Sequence, residues 1–466
     1  MEKPVRTWPR GLLSRPWLLV FVPINAATSG FGVALPLLIL ISLHGAWVDV
    51  ALAASLFNGA VILASIFWGY ISDRYPTRRK LLLLNYIGFA LIFALLSVTT
   101  SLPIVFVLYT VVGILAPAGA SASNLLMLEK FDGRERPSAF ASFQEMSIIG
   151  GMAGLLVGVF WLVTNHPLSL LLDAMALLAS ASVVMVWVAV KDSPRSLSTE
   201  HAAHHPESLL SRLRPGADWH SILPFFPARL RPGPAPIARF SRWVREEVHH
   251  ELPLILAASF LFNLSSNLFN ISYTPYLYSL GLGAASIFLV NLGNNFAQSF
   301  SFPASGNLTS RLGADRLVHR STYVRSLGYL AVAGFTFVAL SPGTAFELNV
   351  AAFALMGGAI AFYSTASSML LFRAVEGHEA GTRLGLASAL GGVAAVAGAV
   401  LSGVLSVFGS YRLVFLVSAG ALLVSLPIWT MASVAAIRRR SGTPAPTPSP
   451  SPGARESSGL PVAETQ

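Results

Sequence analysis

Apolar residues in this chain come in long unbroken runs, separated by short stretches that hold most of the polar and charged positions. A membrane helix needs about 20 apolar residues. The runs that meet this are 17–42, 48–72, 81–99, 103–128, 139–163 and 168–190, then, after a polar interval, 251–280, 284–306, 321–341, 345–372, 384–407 and 411–436. The pattern predicts an all-α integral membrane protein of twelve transmembrane helices, six before the interval and six after it.

Charge adds direction to this picture. Basic residues cluster before the first run (Lys3, Arg6, Arg10, Arg15) and after every even-numbered run, whereas the other loops hold little beyond His44, Asp49, His166 and Glu347, with Arg412 as the exception. By the positive-inside rule both termini are expected in the cytoplasm of a multi-pass plasma-membrane protein. The net charge of +10 is thus a topology signal, and no nucleic-acid partner is expected. With 54% hydrophobic and only 11% charged residues the chain is unlike a soluble domain, of which about a quarter is charged. The absence of cysteine excludes disulfides, thiolate metal sites and a cysteine nucleophile. Met1 to Arg15 is basic, but the run after it is too long for a cleavable signal peptide.

The loop after the second run reads Gly69-Tyr70-Ile71-Ser72-Asp73-Arg74-Tyr75-Pro76-Thr77-Arg78-Arg79-Lys80. Gly69 admits a close helix neighbour, and Asp73 is an acid among bases, placed to tie Arg74, Arg78 or Arg79 into a network. Half a chain later a degenerate copy runs from Gly306 through Ser310 and Arg311 to Gly313, Asp315 and Arg316, with Ser310 where the acid would be. The halves also align elsewhere: a shift of 244 residues places Ser121 to Leu126 on Thr365 to Leu370, Gly133 on Gly377 and Gly154 on Gly398. Such a repeat implies two bundles about an axis normal to the membrane, with a site between them at mid-membrane.

The Gly69–Lys80 loop resembles the signature loop between the second and third helices of the major facilitator superfamily, G-x-x-x-D-R-x-G-R-R/K, with Pro76 at the second glycine and one extra residue. The resemblance covers about residues 15–436 and implies the two-bundle fold of that superfamily and transport by alternating access. It implies that the first, fourth, seventh and tenth helices line the cavity and that the second, fifth, eighth and eleventh gate it. The expected division is a first six-helix bundle at 1–190, a cytoplasmic linker at 191–250, a second bundle at 251–436 and a disordered tail at 437–466. In the linker, His201, His204 and His205 lack a scaffold for metal, while Phe240, Trp243, Val244 and Val248 recur at helical spacing and read as an amphipathic helix on the membrane face.

Candidate chemistry lies inside the runs. The seventh carries Asn263, Asn267, Asn270 and Thr274 on one face, and the eighth carries Asn291, Asn294, Asn295 and Gln298. Asn25, Thr28 and Ser29 on the first run, Asn124 on the fourth and Tyr363 on the tenth complete a polar, uncharged lining for a solute. The competing reading is that these amides bond neighbouring helices, at about 0.6 to 2 kcal/mol each. For coupling and gating the candidates are Gly69, Asp73, Arg74, Arg78, Glu145, Gly306 and Arg311. Asp73 is expected to meet the start of the eleventh run near Arg383 and Leu384, and Glu145 either exchanges a proton or pairs with Arg134, Arg136 or the signature loop. Arg325 is expected to reach the cytoplasm from the first turns of the ninth run.

The sequence thus predicts a secondary transporter for a small organic solute, working as a monomer in the bilayer, with protons as the coupling ion if Glu145 titrates. Export of amphiphilic compounds and import of a neutral polar solute such as a sugar both remain open. A transporter-derived sensor or scaffold is the alternative outside transport. Enzymatic activity, a cofactor and a metal site are not expected, and no G-x-x-x-x-G-K-[ST] loop for ATP occurs.

Overall fold

The computed structural model describes residues 16–74, 78–130, 136–190, 251–375, 380–408 and 410–440. The expected linker helix, the linker histidines and residues 441–466 of the expected tail lie outside the described residues, while 437–440, expected to open that tail, close the last helix. Twelve long helices and no strand are found among those described. They are α1 (Phe21–Leu37), α2 (Trp47–Arg74), α3 (Arg78–Ser97), α4 (Leu102–Lys130), α5 (Arg136–Val163) and α6 (Leu168–Ala189). The second set is α7 (Glu251–Ser279), α8 (Ala284–Leu312), α9 (Ala314–Phe335), α10 (Pro342–Val375), α11 (Ala380–Phe408) and α12 (Tyr411–Arg440). A 3-10 turn at Pro16–Val20 leads into α1, and a π-turn at Leu38–Ser42 follows its internal Pro36.

Ten of the helices are long and apolar enough to cross a membrane by hydropathy alone, α8 and α9 being the two that fall short. They still pack as full members of the second bundle. Within the first half α1 packs on α5 and α6, α2 on α4, and α3 on α4 and α6. Adding six to each label gives the second half: α7 on α11 and α12, α8 on α10, and α9 on α10 and α12. The pair of glycines aligned by the internal repeat does the same job twice. A Cβ at Gly154 would collide with the backbone of Ala26 in α1, and one at Gly398 would lie 2.8 Å from the carbonyl oxygen of Leu264 in α7. Without side chains at these points the backbones approach closely, which is how helices associate where no hydrophobic force separates them from lipid. Large apolar side chains stay exposed around the outside, Leu177 at 72% and Phe160 at 71% among them, as a lipid-facing surface requires.

The ninth helix departs from the expected 321–341. Gly313 has a φ of +84°, a conformation glycine adopts without strain; its N–H caps α8 by donating to Thr309 O, and the chain turns straight into α9 at Ala314. The polar stretch from Asp315 to Arg320, read from the sequence as loop, is therefore helix. At this end Arg373 of α10 donates to Glu251 of α7 at 2.7 Å and to Asp315 of α9 at 3.3 Å, and Ser433 of α12 donates to Asp315 at 3.0 Å. Asp315 supplies the acid that Ser310 lacks. One cluster binds four helices.

Candidate functional site

The end of the bundle at which α1 and α7 begin is called the near end, the opposite one the far end. Helix α2 of the first half packs on α11 of the second, and α5 on α8. At the far end Trp47 stacks on Tyr411, ring centroids 3.9 Å apart. Further in, a Cβ at Gly403 would sit 3.2 Å from Ala51, and one at Gly392 would sit 2.8 Å from Ile62. On the other interface Gly158 receives the ring of Phe288, and a Cβ at Gly151 would lie 3.2 Å from Asn295 Nδ2. These junctions run from the far end to mid-membrane.

Two cavities adjoin them. One of about 370 Å³ lies between the halves, lined from α1 by Ser29 and Gly32, from α5 by Leu155, from α7 by Asn270 and Thr274, and from α8 by Asn291, Asn294, Asn295 and Gln298. The other, of about 430 Å³, lies in the near half between α7, α10 and α11, lined by Asn263, Phe262, Tyr363, Ser259 and Ser388 among others. Ile360 borders both.

The amide stripes thus divide. Asn263, Asn270, Asn291, Asn294, Gln298 and Tyr363 border a cavity; Asn25, Asn124 and Asn267 border neither. Asn25 donates to Phe21 O at 2.7 Å beside Gly150, Asn267 donates to Asn263 O at 2.9 Å against Gly398, and Asn124 is exposed on α4. Were the stripes interhelical ties, their amides would reach across to other helices. Only one in these stripes does: Asn294 Nδ2 donates to Phe353 O of α10 at 2.8 Å. Asn263 and Asn291 donate back to their own helices, at Ser259 O and Ile287 O, and Gln298 donates to Asn294 Oδ1 at 2.5 Å. Asn270 and Asn295 have no hydrogen-bond partner among the described residues and face the cavity. Their carbonyl and amide groups are available to a solute.

The hydroxyls of Ser259, Ser364, Ser367, Ser368 and Ser388 were not singled out from the sequence, yet they give the near-half cavity much of its polarity. A serine in an apolar helix that bonds its own i−4 carbonyl looks the same in sequence as one that faces a cavity.

Arg325 also differs from expectation. Because α9 begins at Ala314, Arg325 sits about 16 Å along it, at its midpoint, and is 4% exposed. It borders the cavity between the halves and does not reach the near end.

The residues expected from the sequence to couple or gate fall at the near end and on α5. Arg78 is buried at the start of α3 and donates to Ser72 O, while Arg79 donates to Trp187 O at 2.6 Å and lies over the Trp187 ring, so this loop is bound to the end of α6. The side chains of Gly69, Asp73, Arg74 and Arg383 lie outside the described ones, as does Arg134. Gly306 faces open space and Arg311 is exposed in the last turn of α8. Glu145 is half-buried, nine residues after the start of α5, with no ion pair among the described residues.

A family model described as Major Facilitator Superfamily matches residues 17–346 and 255–463. No curated protein matches the chain. Among solved structures it is similar to the nucleoside transporter NupG, at 12% identity and a TM-score of 0.65, covering 90% of this chain and 98% of that one. It is also similar to the xylose transporter XylE from E. coli in a partially occluded inward open conformation, at 14% identity and a TM-score of 0.57, covering 93% of this chain and 97% of that one.

Proposed function

The chain belongs to the Major Facilitator Superfamily, and from that premise we propose that it carries a small polar organic solute by alternating access, binding it in the amide-lined cavity between its halves. It is a membrane transporter and not an enzyme. The observation that carries the polar-solute reading is the set of amides at mid-membrane whose hydrogen-bonding groups are turned to the cavity, Asn270 and Asn295 above all. Amides without partners in hydrocarbon are costly, and a hydroxylated solute repays that cost. The structures similar to this one include transporters for a nucleoside and for xylose, both polar and rich in hydroxyls.

We take the near end as cytoplasmic, on the strength of the basic loops there. The junctions between the halves lie from the far end to mid-membrane, and the near-half cavity is lined by the second half alone, which supports an inward-open state. A second reading, export of amphiphilic compounds, draws on Leu256, Phe260, Phe262 and Leu371 in the near-half cavity. Thermal-shift measurement on the purified protein separates the two, because a ligand at 100 times its Kd stabilises by about 2.7 kcal/mol. Sugars, nucleosides or small organic acids are expected to raise the melting temperature. A rise with amphiphilic cations alone would replace the polar reading with the export one.

A further inference from the structure

Arg325 is a charge at the centre of the membrane, on a helix at the periphery of its bundle, and it touches the cavity. Its guanidinium lies 5.3 Å from the ring centroids of both Phe262 and Tyr329, and its Nε donates to Tyr329 Oη at 2.9 Å. Phe262 is itself stacked on Tyr363, centroids 3.4 Å apart, and Tyr329 on Phe269 at 4.0 Å. Aromatic faces therefore hold the cation in a fixed orientation, which suits guanidinium better than a flexible ammonium.

What it lacks is a counter-charge. The ion pairs among the described residues belong to Arg373, and none of the described carboxylates stands within 4 Å of Arg325. Of its five N–H donors, the one on Nε is engaged and those on Nη1 and Nη2 meet no acceptor among the described residues. Close by, Tyr363 Oη, near Ser259 and Ser367, completes no hydrogen bond either. Charged side chains inside a membrane pair with one another or mark a substrate path, and guanidinium is made for bidentate binding of carboxylate or phosphate. We propose that Arg325 is a binding residue for one anionic group, carboxylate or phosphate, of a small soluble solute in the cavity between the halves, with Asn270, Asn291 and Asn295 reading its polar remainder. This rests on the polar-solute reading above and narrows it to anions.

The test compares matched compounds that differ in one charged group: gluconate and glucose 6-phosphate against glucose, and nicotinate against nicotinamide. They are titrated by thermal shift into the full chain in phosphatidylcholine nanodiscs, free of anionic lipid, at fixed ionic strength. At least one anion is expected to bind the wild type tenfold or more tightly than its neutral partner. Arg325→Met is expected to lose that preference while melting no lower than the wild type without ligand, and Arg325→Lys to keep part of it. Equal binding of a neutral partner, or a preference that survives in Arg325→Met, overturns the anion site and leaves the polar-solute reading standing. Stabilisation by none of these compounds overturns the anion site, and the polar-solute reading then stands or falls on the wider screen of sugars, nucleosides and organic acids described above. A variant Arg325→Met that melts far lower, with no anion preference in the wild type, makes the arginine a purely structural cation stacked on Phe262.

Discussion

At the scale of single residues, two asparagines on neighbouring helices of the second half, Asn270 on α7 and Asn294 on α8, differ in where the amide points. Asn294 reaches α10 and Asn270 reaches the cavity. Asn294→Ala is expected to lower stability by about 0.6–2 kcal/mol, the range for an interhelical bond in a membrane. Asn270→Ala is expected to leave the melting temperature unchanged and to weaken solute binding five- to hundredfold, since a group losing its partner costs about 1–3 kcal/mol. Melting curves and ligand titrations on both variants check this, and the reverse pattern would exchange their roles. Glu145 is the carboxyl on which proton coupling is proposed to turn: it is half-buried in α5, without an ion pair among the described residues. In proteoliposomes Glu145→Gln is expected to abolish uptake driven by a pH gradient and to keep downhill exchange of solute; unaltered pH-driven uptake would dismiss this residue. The amide stripes were legible in the sequence because a 3.6-residue period puts Asn263, Asn267 and Asn270 on one face. Which of them bonds its own helix was not, because that depends on rotamers and on neighbours distant in the chain. The place of Arg325 was hidden for another reason, an error of seven residues in where its helix starts.

At the scale of elements, that error has a physical source. Hydropathy misses α8 and α9, since one carries the asparagines and the other Asp315, Arg316, His319, Arg320 and Arg325. The sequence supports both only through the repeat and the run lengths. The helix contacts that matter most are made by glycine, and the repeat pointed to them: Gly154 and Gly398 occupy equivalent crossings. Gly154→Ala is expected to destabilise by several kcal/mol or to prevent folding, because the backbone of Ala26 leaves no room. Gly420 on α12 has nothing within 4 Å of its Cβ position, so Gly420→Ala is expected to be neutral or stabilising by up to about 1 kcal/mol. Yield and melting temperature of the two variants decide the point, and equal behaviour would mean that α1 and α5 adapt to a wider spacing.

At the scale of the whole molecule, the stack of Trp47 on Tyr411 spans the two halves where the structure is shut. Each ring pair of this kind contributes about 0.5–1.5 kcal/mol beyond its buried area, and a change of 1.4 kcal/mol is tenfold in a population. In a chain without cysteine, Ser29→Cys in the cavity reports which side is open. It is expected to react with a membrane-impermeant thiol reagent from the cytoplasmic side alone, and from both sides once Trp47→Ala or Tyr411→Ala is added. Reaction from outside in the presence of both rings would reverse the orientation proposed here. The closed far end has an electrical consequence as well. A vestibule in contact with one aqueous phase carries the potential of that phase inward, so most of the membrane voltage falls across the far half of the molecule, between Arg325 and the Trp47 stack. An anion moved through that region exchanges about 2.3 kcal/mol with the field per 100 mV. The transporter would then feel the voltage in the passage across that far half, and a negative interior would drive its anion out.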